Sequence, residues 1–234
     1  MIRSIINYLI SIISGTFVNS IVFILLANKF DDTTFGILNL LYTFFLFLNL
    51  VYVWAIGSLL IIDKKNRQHD SLVSFTRELS IINSTKNVVL SLVFLLSFGL
   101  IHYLFFENIP RETIFFPYIL VIIGSFVFSF ASLNNTFFRK ENRSSDYLRA
   151  ALISNFAFIL FVFAFWSVLD LKFFFIALIL KYLLIVFYFP KLHKLPVVLP
   201  GLKVGFSKIK KATPFFIAAV SITLIDFSDN YFLA

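Results

Sequence analysis

From Ser4 to Asn28, and again from Thr33 to Ile62, the chain carries no charged side chain, runs of 25 and 30 residues. A helix crossing about 30 Å of hydrocarbon needs roughly 20 apolar residues. The bilayer offers an exposed backbone nothing to bond, so runs of this kind become helices. Further charge-free runs cover residues 87–106, 113–138 and 150–169, and 173–189 is interrupted only by Lys181. A seventh opens at Thr213 and Pro214, a cap residue followed by proline in the first turn, and runs into Asp226 and Asp229 before Ala234. Strands are a poor alternative: a barrel strand alternates polar and apolar, and Phe44-Phe45-Leu46-Phe47-Leu48 does not. The first run follows Arg3 as a signal peptide would, but it is too long and no small-x-small cleavage site follows it.

Composition agrees. The chain is 60% hydrophobic and 14% charged, whereas a soluble domain carries about a quarter of its residues charged. The expectation is an all-α integral membrane protein: a polytopic bundle of six complete transmembrane helices plus a seventh ending at the C-terminus. Residues 1–190 form the six-helix lobe and 191–212 a basic cytoplasmic linker punctuated by Pro196, Pro200, Gly201 and Gly205. Residues 213–234 form the seventh helix, the start of a missing second lobe.

Orientation follows from the basic residues. Sixteen of the 20 fall before the first run or in the segments after the second, fourth and sixth. Lys29, Arg111 and Lys172 fall in the alternate turns, so the positive-inside rule places the N-terminus in the cytoplasm. The net charge of +8 then reads as loops facing anionic lipid, not nucleic acid. Between Ser71 and Lys86, the residues Leu72, Phe75, Leu79 and Ile82 recur at helical spacing. Two readings fit equally: an amphipathic helix on the cytoplasmic face, or a plain extension of the third span.

No catalytic signature is present. Cysteine is absent, Gly201 and Gly205 are spaced wrongly for a phosphate loop, and His69, His102 and His193 stand far apart. The expectation is no enzyme, no cofactor and no metal. The glycosylation-like triplets at Asn83, Asn134 and Asn142 fall on or near the cytoplasmic side and are set aside. Polar groups within the spans are the remaining material. Lys181 sits mid-span, where a cation costs about 2.5–3.5 kcal/mol on insertion scales and must face a partner or a wet cavity. Asp226 and Asp229 are the other deep charges, and Asn19, Asn49, Asn134, Asn135 and Asn155 add neutral polarity. Each asparagine fits either interhelical hydrogen bonding or ligand contact. Counting 1.5 Å per residue from the span ends brings Lys181 and Asp226 to similar depths, so Asp226 is the expected acidic neighbour. The cavity candidates are Lys181, Asp226, Asp229, Asn19, Asn49 and Asn155; a structural ion pair is the alternative for the lysine.

At Ala27-Asn28-Lys29-Phe30-Asp31-Asp32-Thr33-Thr34-Phe35-Gly36 a first span ends in a short polar turn and Phe-Gly opens the second. With Gly57, the basic turn from Asn142 to Arg149, and Lys210-Lys211-Ala212-Thr213-Pro214 followed by Asp229-Asn230, this resembles bacterial polysaccharide flippases. These belong to the multidrug/oligosaccharidyl-lipid/polysaccharide exporter superfamily. Asn230 stands where that family usually has arginine. The resemblance implies two six-helix lobes, of which this chain matches the first plus one helix, with a C-terminal lobe or second chain still to be supplied. It implies export of an undecaprenyl-diphosphate-linked oligosaccharide repeat unit, as for O-antigen or lipopolysaccharide, across the bacterial inner membrane. A drug or other lipid exporter of the same superfamily, or a non-transporting fragment or assembly subunit, is the alternative.

Overall fold

A computed structural model describes residues 2–54, 56–62, 69–188, 207–218 and 220–221, and these are helical with short turns and no strand. The helices are α1 (Ile2–Lys29), α2 (Asp32–Val53), α3 (Ile56–Ile62), α4 (His69–Leu96), α5 (Phe98–Phe105), α6 (Arg111–Lys140), α7 (Ser144–Ala164) and α8 (Leu171–Phe187). Residues 207–218 form a further helix, here α9. Five stretches are long and apolar enough to cross a membrane: Ile5–Lys29, Asp32–Leu60, Leu72–Leu96, Arg111–Lys140 and Ser144–Ala164. The described residues therefore form a helical bundle with several helices of membrane-spanning length. Six complete spans were expected; α8 has 17 residues and stands outside these five.

The chain reverses at capped ends. Asp31 accepts the Thr34 N–H at 3.1 Å and opens α2, and Asp170 accepts the Phe173 N–H at 2.9 Å and opens α8. The Thr34 hydroxyl at 2.6 Å, with its N–H, holds the Asp31 carboxyl below its ordinary range. Asn142, at φ 56° in the left-handed region, makes the tight turn from α6 to α7.

α2, α6 and α8 run the same way. Phe45 of α2 meets Phe128 of α6 and Tyr182 of α8, with ring centres 6.4 and 6.1 Å apart. Gly124 permits this approach, since a Cβ there would stand 3.1 Å from the Phe45 ring and 3.4 Å from Ile179. α1 and α7 run parallel on the far side, joined by Asn7 to Ser144 near one end and Lys29 to the Trp166 carbonyl near the other. α4 runs opposite to α6, with the Tyr118 hydroxyl donating to the Phe94 carbonyl at 2.8 Å.

Three helices depart from the sequence expectation. The second run is one charge-free segment but two helices, because Trp54 takes a left-handed φ of 42° and ends α2. The Ser71–Lys86 segment is the first half of α4 and continues into the span, so the extension reading holds. Leu72, Leu79 and Ile82 are buried with Ile56 and Leu60 of α3 and Leu133 and Phe137 of α6, in a core of their own at one end of the bundle. The membrane-length stretch of α4 ends at Leu96, where Ser97 interrupts the helix; the expected span was 87–106. Lastly, α9 already includes residues 207–212, expected as linker, and Thr213 is no N-cap: its hydroxyl donates back to the Ile209 carbonyl at 2.9 Å. That back-bond is the mid-helix habit of threonine.

Candidate functional site

Lys181 lies ten residues into α8 and is only 5% exposed. Its ammonium donates to Oδ1 of Asn19 on α1 at 2.9 Å and stands 5.0 Å from the centre of the Phe158 ring on α7. Asn19 in turn donates through Nδ2 to the Tyr42 hydroxyl on α2 at 3.4 Å. Four helices thus converge on one cation. α8 carries it, α7 supplies an aromatic face, and α1 and α2 supply a short polar chain. Among the described residues no carboxylate pairs with Lys181.

An ammonium has three donors, and one is used here. On one side Val22, Phe23, Phe174 and Leu178 close around Asn19 and Tyr42 and leave no room for a water. On the other, Asn19 and Tyr42 line an open groove of about 300 Å³ between α1 and α2, shared with Thr16, Ser20 and Phe23. The arrangement can therefore present positive charge to an anion in that groove through a neutral amide relay.

Asn155 is nearby in kind but not in contact. It is 5% exposed and donates to the Ser14 hydroxyl at 3.2 Å, tying α7 to α1. Asn49 is equally buried, and its Oδ1 has no hydrogen-bond partner among the described residues. Asn134 donates to the Ile185 carbonyl at 3.3 Å, a helix–helix tie. Asp226 and Asp229 lie outside the described residues, so the expected Lys181–Asp226 neighbourhood does too. Of the six cavity candidates, the structure joins Lys181 and Asn19.

Tyr42 and Phe158 were missed, because each reads as one more aromatic in a chain with 34 Phe and 9 Tyr. A second polar set was missed as well. Asn83 and Asn87 of α4 both donate to the Ser129 hydroxyl of α6, at 2.9 and 2.5 Å. Between them Lys86 donates to the Tyr52 carbonyl in the last turn of α2. That carbonyl would bond the next turn if α2 continued; the break at Trp54 frees it, and the lysine caps it. Lys140 likewise donates to the Leu60 carbonyl of α3. The Asn83, Lys86, Asn87 spacing of three and four residues, one helix face, was the available signal.

His102 is 6% exposed and contacts the Ile109 carbonyl at 2.8 Å, which closes the turn from α5 to α6. Among the described residues no group of three or more His, Cys, Asp or Glu is gathered to hold a metal. Comparison with protein-family models, with curated proteins and with solved structures finds no match.

Proposed function

We propose that this chain is a transmembrane lobe of an exporter that flips a lipid-linked oligosaccharide across the bacterial cytoplasmic membrane, with Lys181 serving the anionic headgroup. One observation carries the reading: a buried ammonium, bonded by a single neutral amide, stands behind an open groove between α1 and α2. Depth supports it. Lys181 is ten residues below Leu171 and Asn19 ten residues before Lys29, so each lies about 15 Å from the same side, the midplane of a 30 Å core. Transporters built from paired lobes bind at this level. A diphosphate needs charge compensation there, since an anion in hydrocarbon is costly unless paired.

In this reading α8, about 26 Å long, is the sixth span and α9 begins the seventh. The N-terminus is cytoplasmic, and the first half of α4 with α3 forms an inner extension. The groove is formed here by α1 and α2, and a second lobe or chain closes its open side. A second reading draws on the same contacts: with Asn19 and Phe158 already engaged, Lys181 locks α8 to α1 and α7 and takes no part in transport.

Reconstitution of the protein together with its opposing lobe into liposomes decides between them. A fluorescent polyprenyl-diphosphate oligosaccharide in the inner leaflet becomes accessible to an external quencher as it is flipped. Transport that is lost in Lys181→Met while the variant stays folded supports the headgroup role. Unchanged transport in that variant leaves the lock, and no movement of any polyprenyl-diphosphate sugar by the wild type refutes the flippase reading.

A further inference from the structure

The inner ends of α1, α6 and α7 do not close on one another. They leave a cavity of about 660 Å³ whose walls include Ile5, Tyr8 and Leu9 of α1, Arg139 of α6, Asn142 of the turn and Tyr147 of α7. The left-handed turn at Asn142 folds the end of α6 back toward the start of α7, which places the polar residues on one side.

The chemistry of this cavity is cationic and incompletely used. The Arg139 guanidinium lies 4.7 Å from the centre of the Tyr8 ring, and Tyr8 stacks on Tyr147 at 5.5 Å. Arg139 is exposed, and among the described residues its guanidinium makes no ion pair and donates no hydrogen bond. The neighbouring Arg143 pairs with Asp146 at 2.7 Å, which takes that carboxylate out of competition. α7 starts with no side-chain cap, so the amide groups of its first turn add positive potential at the same end. A planar guanidinium with its fork of donors open is suited to a phosphate.

The opposite wall is apolar. Ile5 and Leu9 are each 50% exposed, and the same helix goes on to expose Ile13 and Phe17 by more than 60%. Surface of this kind on a bundle of membrane-length helices is lipid-facing. The cavity therefore joins an anion-seeking end to a hydrocarbon-facing strip, and a free anion would use only half of it.

We propose that this cavity binds the phosphate headgroup of an anionic membrane lipid. Arg139 takes the phosphate beside Tyr8 and Asn142, and an acyl chain lies along Ile5 and Leu9. The choice of inner leaflet rests on the orientation given above; the binding itself does not.

The test uses the 234-residue chain in nanodiscs of equal phosphatidylglycerol and phosphatidylcholine, with retained lipid read by native mass spectrometry. The wild type is expected to keep one phosphatidylglycerol with roughly tenfold preference, the size of one charge-assisted contact. Arg139→Gln should bring the two lipids to parity, and Arg139→Lys, which keeps the charge and loses the fork, should fall between. In case Arg139→Gln fails to fold, a phosphatidylglycerol with a photoreactive acyl chain should cross-link the wild type near Ile5 and Leu9. Equal retention of both lipids by the wild type, full retention by a folded Arg139→Gln, or cross-links confined to other helices would overturn the site. Displacement of the lipid by millimolar inorganic phosphate would overturn the lipid as ligand in favour of free phosphate. The chain has no cysteine, so Ser145→Cys provides a separate orientation probe. Labelling of that thiol by an external impermeant maleimide would move the site to the outer leaflet and refute the orientation, leaving lipid retention intact.

Discussion

Asn19→Leu is expected to destabilise the protein more than loss of the charge it serves. Lys181 in the bundle has an insertion cost of about 2.5–3.5 kcal/mol. Against this stand a charge-assisted hydrogen bond to Asn19, about 1.5–3 kcal/mol, and a desolvated cation–π contact with Phe158, about 2 kcal/mol. The two sides nearly cancel. Lys181→Met removes all three terms together and should change stability by no more than about 1–2 kcal/mol. Asn19→Leu removes only the bond and leaves the cation buried, a loss of about 2 kcal/mol; the 3.4 Å contact with Tyr42 is too long to add much. The double variant should return to within about 1 kcal/mol of the wild type, a coupling of about 2 kcal/mol between the positions. Unfolding by dodecyl sulfate in mixed micelles, followed by far-ultraviolet circular dichroism, measures all four proteins. Additive losses, or an Asn19→Leu variant as stable as wild type, would refute this account of how the cation is held.

Three further outcomes are expected. Gly57→Ala should cost about 1–3 kcal/mol in the same unfolding assay, because its Cβ would meet the Thr136 hydroxyl at 2.7 Å and the Thr136 Cβ at 3.3 Å; Thr136→Ala should recover part of that loss. Thr34 holds the Asp31 carboxyl below its ordinary 3.8, so the cap's contribution is complete above that value and is lost as pH falls through the lowered one. Unfolding compared between wild type and Asp31→Asn should converge at acid pH, and a gap that persists there would show that the carboxylate charge is not what caps α2. Single cysteines in place of Glu112 and Lys172 should react with external impermeant maleimide, and one in place of Ser145 should not; protection at 172 would reverse the topology.

Much of this architecture was legible in the sequence, for a physical reason. A bilayer leaves the backbone no partner but itself, so every long charge-free run had to be helical, and α1, α2, α6 and α7 fall where those runs do. Asp31 and Asp170, acidic residues at the turns, open α2 and α8 by direct bonds to first-turn N–H groups. Lys181 stood out because a mid-span cation is costly wherever it points. What the sequence could not carry was the direction of any face. These helices are apolar nearly all round, and without an apolar and a polar side, periodicity says nothing about which neighbour each residue meets.

Only the tertiary structure made Asn19 the partner of Lys181, 162 residues away, among five mid-span asparagines that looked alike. Only it joined the first half of α4 to a core with α3 and α6, since an amphipathic stripe is satisfied equally by a membrane surface or by another helix. The break at Trp54 and its cap by Lys86 belong together for the same reason. A chain ends a helix where a distant side chain can satisfy the freed carbonyl, and that distance is closed by folding, not by spacing along the sequence.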